Sequence, residues 1–543
     1  MALPHRRRPD GGAGMSSLTG TGALVRLALR RDRIRLPVWT AVFTAVAASS
    51  AAATAAIYPA AGDQRGAAGS INSVPALVAL YGPVYEPTLG ATSVFKLTAF
   101  GAALIALLMI FTAVRHTRAE EEAGRRELLG SAVVGRFAGL AAAVVVTTVS
   151  SLVIGLFSGA GLAAAGLPVA GSLAFGLGWA GSGLVFGGLA AVTAQLTKSA
   201  RAASGLAVVA LLGAYFLRAV GDSAGPRWLS WVSPIGWTQQ VRPFAGDVWW
   251  VLALPLLVAV ALVVVAVAAV RARDLDAGLL LDRAGPAHAG RSLTGAWGLV
   301  WRLNRANLGA WLAGYVLLGL VLGGLAGNVG KMLDSAGARA LIAALGGEQA
   351  MEDAFLAAEF SMAAVITSAY AITVLVRFRS EERALRVEPL LATALDRRRL
   401  MAGYLLLAAG APVVLLTSLG LTAGLAYGVR LGTPGTEVAR LAGAGLAQLP
   451  AVWVLAGIAA ALFGFLARAV AFAWVALTTF LLLGEFGTLL KLDRWVLDLS
   501  PFTHSPKLPG AAVQAAPLLW LTALGAVLGA AGVARFRRRD VAG

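Results

Sequence analysis

Twelve apolar runs, each about 20 residues or longer and so long enough to cross a bilayer core of roughly 30 Å as a helix, punctuate the 543 residues. In the first part of the chain they fall near 37 to 58, 94 to 114, 137 to 164, 171 to 194, 203 to 221 and 250 to 270. The second set falls near 307 to 328, 357 to 376, 400 to 428, 441 to 466, 470 to 490 and 516 to 534. A backbone in hydrocarbon must satisfy its own hydrogen bonds, which a helix does within one segment. The expected fold class is therefore an all-α polytopic membrane protein with twelve transmembrane helices. An apolar content of 58% exceeds the roughly 45–50% of soluble domains and agrees. The 65 glycines point to close helix packing, with small-residue spacings at Gly155/Gly159, Gly183/Gly187 and the ladder Gly420, Gly424, Gly428.

Basic residues orient these runs. With the N-terminus inside, 33 of the 45 Lys and Arg fall on the inner side and 12 on the outer side. Positive residues accumulate on the cytoplasmic side, so both termini are expected in the cytoplasm and the chain in the plasma membrane. The net charge of +18 is then topological, and nucleic acid is not an expected partner. The first run begins near Pro37, too late for a usual signal peptide, so the basic start is expected to be retained.

Several chemistries lack their residues. Cysteine is absent, and His5, His116, His288 and His504 are too scattered for a metal site. No nucleophile–base constellation marks a catalytic site. A phosphate-cradling G-x-x-x-x-G-K-[ST] loop is missing, and "TKSAR" at 197 to 201 lacks the preceding glycines. No cofactor is expected in this chain.

The chain repeats itself. Residues 112 to 136 and 373 to 397, at an offset of 261, share Thr112, Arg118, Glu120, Glu121, Ala123, Arg125, Glu127, Leu129 and Arg136 with their counterparts. "RWLSWVSP" at 227 to 234 likewise echoes "RWVLDLSP" at 494 to 501. Six spans being an even number, two six-helix halves have the same orientation, as parallel repeats around a pseudo-twofold axis. The expected domains are a cytoplasmic amphipathic segment (1–36), a first half (37–270), a cytoplasmic linker (271–306), a second half (307–534) and a cytoplasmic tail (535–543).

The duplicated charges cannot lie within a span, where each costs roughly 2.5 to 3.5 kcal/mol. Each is expected as a short surface helix after the second span of its half, with Glu121 before Arg125 and Glu382 before Arg386 at the favourable i, i+4 spacing. A loop that merely anchors topology needs Lys and Arg and gains little from glutamate. The repeated acids, Glu120, Glu121, Glu127, Glu381, Glu382 and Glu388, suggest a basic partner.

"RAEEEAGRRELLGSAVVGR" and "RSEERALRVEPLLATALDR", set in twelve spans, resemble the permeases of ABC-2-type exporters (ABCG-like, type V), and among them the polyketide-antibiotic, tetronasin-type group. The resemblance implies a transmembrane subunit whose post-second-span segments are coupling helices seated in two copies of a separate nucleotide-binding ATPase, which carries ATP and Mg. It places coupling at Arg118, Glu120, Glu121, Arg125 and Glu127, and at Arg379, Glu381, Glu382, Arg386 and Glu388. Pro389, where the first copy has Leu128, is expected to end the second helix early. The resemblance further implies that "TGALVRLALRRDRIRLPVW" and "WGLVWRLNRANLGAW" are connecting helices on the inner surface, a merely basic juxtamembrane flank being the alternative.

At the outer side the resemblance implies a short helical hairpin over the exit in each half. Arg218 aligns with Glu485 at the offset of 267 and is expected to pair with it as an outer gate, snorkelling to separate interfaces being the alternative. The substrate path is expected between the second and fifth spans of each half, with Phe100, Met109, Phe111, Tyr215 and Phe216 in the first and Met362, Tyr370, Trp474 and Phe480 in the second. The expected function is export of lipophilic, antibiotic-like compounds by alternating access, driven by the partner ATPase and conferring resistance. An ion-coupled transporter of the major-facilitator kind would need intramembrane acids, scarce beyond Glu359 and Glu485. A membrane scaffold or sensor is the third possibility.

Overall fold

The computed structural model describes residues 17–537 and 539, except 74, 125–133, 224–225, 274–277, 281–287, 289, 291–292, 294, 327–347, 394 and 487–492. Twelve helices among the described residues are long and apolar enough to span a membrane. The chain divides into two compact units, Met1–Ala284 and Gly285–Gly543, with six of these helices in each.

In the first unit an amphipathic helix, Thr21–Arg31, precedes the first span, Arg35–Ile57. It buries Ala28 beside Leu36 and Val146 of the third span and turns its arginines outward. Short helices Ala61–Asn72 and Pro75–Tyr81 lead to the second span, Leu89–His116, which breaks at Thr117 before a five-residue helix, Arg118–Glu122. The third, fourth and fifth spans are Ala138–Ala164, Val169–Leu196 and Ala200–Ser223. Helices Trp228–Val232 and Pro234–Gln240 follow, and a 3₁₀ turn, Trp249–Leu252, opens the sixth span, Ala253–Ala272.

The fourth span forms much of this unit's centre, burying Phe175, Trp179 and Phe186. The Trp179 indole donates to the Leu97 carbonyl of the second span at 3.1 Å, so its one polar atom is satisfied in the core. Against the third span the backbones nearly touch. A Cβ on Gly155 would lie 2.3 Å from the Gly176 oxygen, and one on Gly176 2.2 Å from the Gly155 oxygen. Only glycine permits that approach.

The second unit contains the seventh span, Ala296–Ala326, the eighth, Glu348–Arg383, a turn of helix at Glu388–Leu391, and the ninth span, Arg397–Leu431. The tenth is a pair of segments, Pro434–Ala447 and Leu449–Phe465. A 3₁₀ turn at Ala467–Ala471 enters the eleventh, Phe472–Phe486. Arg494–Leu497 and Pro501–His504 precede the twelfth, Ala515–Phe536. Phe378, Tyr404, Phe463 and Phe536 form an aromatic cluster joining the eighth, ninth, tenth and twelfth spans, with Phe378 stacked on Tyr404 at 4.3 Å. The ladder Gly420, Gly424, Gly428 faces backbone of the tenth span, where added Cβ atoms would meet it at 2.4, 2.5 and 2.6 Å.

Three local expectations change. The seventh helix starts at Ala296, inside the segment expected as linker, because Arg302 and Arg305 interrupt hydropathy but not helical hydrogen bonding. The eighth continues to Arg383, so Arg379, Glu381 and Glu382 ride on the span itself and not on a separate surface helix. Pro389 occupies the first turn of Glu388–Leu391 and helps start that helix instead of ending one. Proline is tolerated there because its missing N–H would be unpaired anyway.

Candidate functional site

The charged turn of the first unit closes around one buried carboxylate. The break at Thr117 lets Arg118 fold back, and its Nη1 donates to Glu121 Oε2 at 2.5 Å. Arg273, just past the sixth span, donates from Nη2 to Glu121 Oε1 at 2.7 Å and Oε2 at 3.0 Å. Arg118 is 1% exposed and Glu121 4%. The two arginines also reach outward: Arg273 Nε donates to Gln195 Oε1 at the end of the fourth span, 2.7 Å away, and Arg118 Nε to the Lys198 carbonyl at 2.9 Å. Glu122 accepts from the Ala200 N–H at 2.9 Å, capping the start of the fifth span.

The second unit carries the same arrangement. Arg379 Nη1 donates to Glu382 Oε2 at 2.9 Å, and Arg539, after the twelfth span, donates from Nη2 to Glu382 Oε1. Glu382 is 3% exposed. Arg539 Nη1 donates to the Phe463 carbonyl near the end of the tenth span at 2.6 Å, and its guanidinium lies over the Phe463 and Phe536 rings. Burial pushes the Arg539 pKa below the ordinary arginine value, and Glu382 pulls it back upward.

A further arginine braces each arrangement. Arg136 Nη2 donates to the carbonyls of Val270, Arg271 and Arg273 at 3.0, 3.2 and 3.4 Å, satisfying the C-terminal end of the sixth span. Arg397 Nη1 donates to the Arg539 carbonyl at 3.0 Å. Arg136 and Arg397 align in the sequence duplication, but Arg273 and Arg539 were missed as site residues. A short signal exists for them: "RARD" at 271–274 and "RRRD" at 537–540 match at an offset of 266.

The remaining charges of the two turns differ in accessibility. Glu120 pairs with Arg31 of the amphipathic helix at 2.6 Å, and Asp32 bonds His116 at 2.7 Å, so the N-terminal segment is tied to the end of the second span. Glu381 accepts from Arg386 at 3.1 Å across Leu385, whose backbone is left-handed. The expected i, i+4 partner of Arg386, Glu382, is already held by Arg379 and Arg539. Arg386 and Glu388 are exposed. Arg125 and Glu127 lie outside the described residues.

At the opposite end Arg218 is fully buried within the first unit. Its Nη2 donates to the carbonyls of Ala79 and Leu80 at 2.7 and 3.1 Å, and its guanidinium sits 3.5 Å from Asp222 and over the Tyr215 ring. The Glu485 side chain lies outside the described residues. The hairpin segment is two short helices meeting at Ser233, whose hydroxyl donates to the Ala214 carbonyl and accepts from Gly236 N–H.

The residues expected along the substrate path scatter. Met109 and Tyr370 are fully buried in the cores of their units, and Met362 and Phe480 are half-buried. Tyr215 donates its hydroxyl to the Leu80 carbonyl. Phe100, Phe216 and Trp474 are exposed. Phe111, 44% exposed, lines a cavity of about 510 Å³ with Val114, Arg115, Arg201 and Val208, between the second and fifth spans at their charged end.

Comparison with known proteins gives two matches. The family model for the C-terminal domain of the multidrug efflux system permease Rv1217c matches residues 293–537. Along nearly its whole length the chain is similar to the multidrug efflux system permease protein Rv1217c of Mycobacterium tuberculosis (strain ATCC 25618 / H37Rv). The identity is 43% over 538 residues, covering 98% of this chain and 97% of the relative.

Proposed function

The chain belongs to the family of its mycobacterial relative, the multidrug efflux system permeases, and from that premise we propose that it is the membrane permease of an ATP-driven exporter of lipophilic, drug-like compounds. The finer assignment, to the tetronasin-type group of ABC-2 exporters with both half-transporters in one chain, rests on the duplicated charged turns. The observation that carries it is their construction: each unit uses arginines closed on a buried glutamate to hold a charged turn at the end of its second span. Arg386 and Glu388 are exposed there, and Arg125 and Glu127 are their counterparts in the first copy. We place the contact with the two ATPase subunits at those four residues. Glu120 and Glu381 border it, and Arg118, Glu121, Arg379 and Glu382 support it from behind.

In this scheme ATP closes a dimer of the partner, the two turns move together at the cytoplasmic face, and the spans convert from inward to outward access. Compounds enter beside Phe111, where apolar walls and the Arg115 and Arg201 side chains line the cavity between the second and fifth spans. An outer gate formed by Arg218 with Glu485 requires Arg218 to leave Asp222 and the carbonyls of Ala79 and Leu80 in one state of the cycle. If that gate forms, exchanging the two charges restores transport lost in either single substitution; failure to restore it removes the gate. The overall assignment is tested in proteoliposomes with the partner ATPase. Export of a lipophilic drug is expected to need ATP and the ATPase. Export driven by an ion gradient without them would instead make the chain a secondary transporter.

A further inference from the structure

The buried glutamates Glu121 and Glu382 do more than balance local charge. We propose that each is the pin of a clasp that binds the coupling turn to the end of the last span of its unit, so that the two move as one body. This deepens the coupling role proposed above and depends on it.

The geometry repeats in each unit with different neighbours. In the first, one carboxylate takes hydrogen bonds from Arg118 on the turn and Arg273 past the sixth span, and Arg273 continues to Gln195 on the fourth. In the second, Glu382 takes them from Arg379 and Arg539, and Arg539 continues to the Phe463 carbonyl of the tenth span. Arg136 and Arg397, each at the start of the following span, close the ring by donating to the carbonyl of the clasping arginine's residue. The turn, the beginning of the next span and the ends of two later spans are thereby joined through one desolvated carboxylate.

A charge-assisted network of this kind is strong in a low-dielectric setting and has few alternative arrangements. Mere anchoring of an inner loop needs no buried acid, and an acid meant for a partner's cation would be exposed. Both glutamates are instead enclosed by the chain's own arginines, while exposed charges on the second turn remain outside the clasp. A push on the turn therefore reaches the sixth or twelfth span without slack. Glu121 and Glu382 act as positioning residues, working through Arg273 and Arg539.

The test uses the full chain with its ATPase in proteoliposomes and the double variant E121Q/E382Q, which keeps shape but removes both charges. The expected result is normal co-purification of the ATPase, loss of drug stimulation of ATP turnover, and transport reduced at least tenfold. Unchanged stimulation and transport overturn the clasp; so does loss of ATPase binding, which would make the two carboxylates part of the docking contact. A wild-type chain that binds no ATPase would sink the coupling role itself, before any variant is compared. A second measurement stands even if E121Q/E382Q fails to fold. The chain has no cysteine, so E121C/R273C can be bridged by a bifunctional methanethiosulfonate and released with dithiothreitol. Drug-stimulated turnover is expected in the bridged form and to fall on release. Turnover that appears only on release would mean that turn and span must separate, contrary to the proposal.

Discussion

Glu121 sits between two arginines that have little water to fall back on, so its removal should be felt by the fold as well as by transport. Taking one partner from a buried ion pair costs about 3–5 kcal/mol, because the remaining charge is stranded. E121A is therefore expected to lower the thermal unfolding midpoint of the detergent-solubilised chain clearly, and E382A to lower it by less, because the arginines it leaves, Arg379 and Arg539, are each 15% exposed. Glu120 differs by one position and in kind. Its partner Arg31 is about a third exposed and Glu120 itself 15% exposed, so solvent screens this pair more than it screens the Glu121 clasp. E120A is expected to lower the midpoint by less than E121A does. Equal shifts for E120A and E121A would show that burial does not separate their roles. Both residues are visible in the duplicated sequence, but which is buried is not, since adjacent glutamates on a helix differ only by a rotation of about 100°.

At the scale of the helices, glycine determines how closely the spans approach. G155L is expected to abolish a monodisperse peak in size-exclusion chromatography, since even a Cβ there would collide with the Gly176 backbone. G443A is expected to elute like the parent, because nothing lies within 4 Å of an added Cβ. The spans themselves are legible from hydropathy because lipid demands long apolar helices, and the small-residue spacings at Gly155 and Gly420 identify true close approaches. Their charged ends are less legible. Hydropathy stops at Arg377 and Arg302, whereas the helices pass through both, so the eighth span carries its own share of the second turn. The arginines that complete each clasp follow their glutamates by more than 150 residues. Only the tertiary fold brings them together, and the matching tetrapeptides after the sixth and twelfth spans are a faint trace of it.

For the whole molecule, the distribution of basic residues predicts both termini inside the cell. On the cysteine-free background, a membrane-impermeant maleimide should label V513C in intact cells and R537C only after permeabilisation, both positions being exposed. The opposite pattern would invert the topology and put both charged turns outside, away from ATP. The clasped turns matter only if an ATPase works through them. That claim is tested most directly by measuring ATPase co-purification and drug-stimulated ATP turnover for E127R/E388R, a reversal at two positions aligned in the sequence duplication that leaves the carboxylates of both clasps in place. The account predicts that the variant folds, binds little ATPase and shows no stimulation by drug. Wild-type binding and stimulation in E127R/E388R would contradict it.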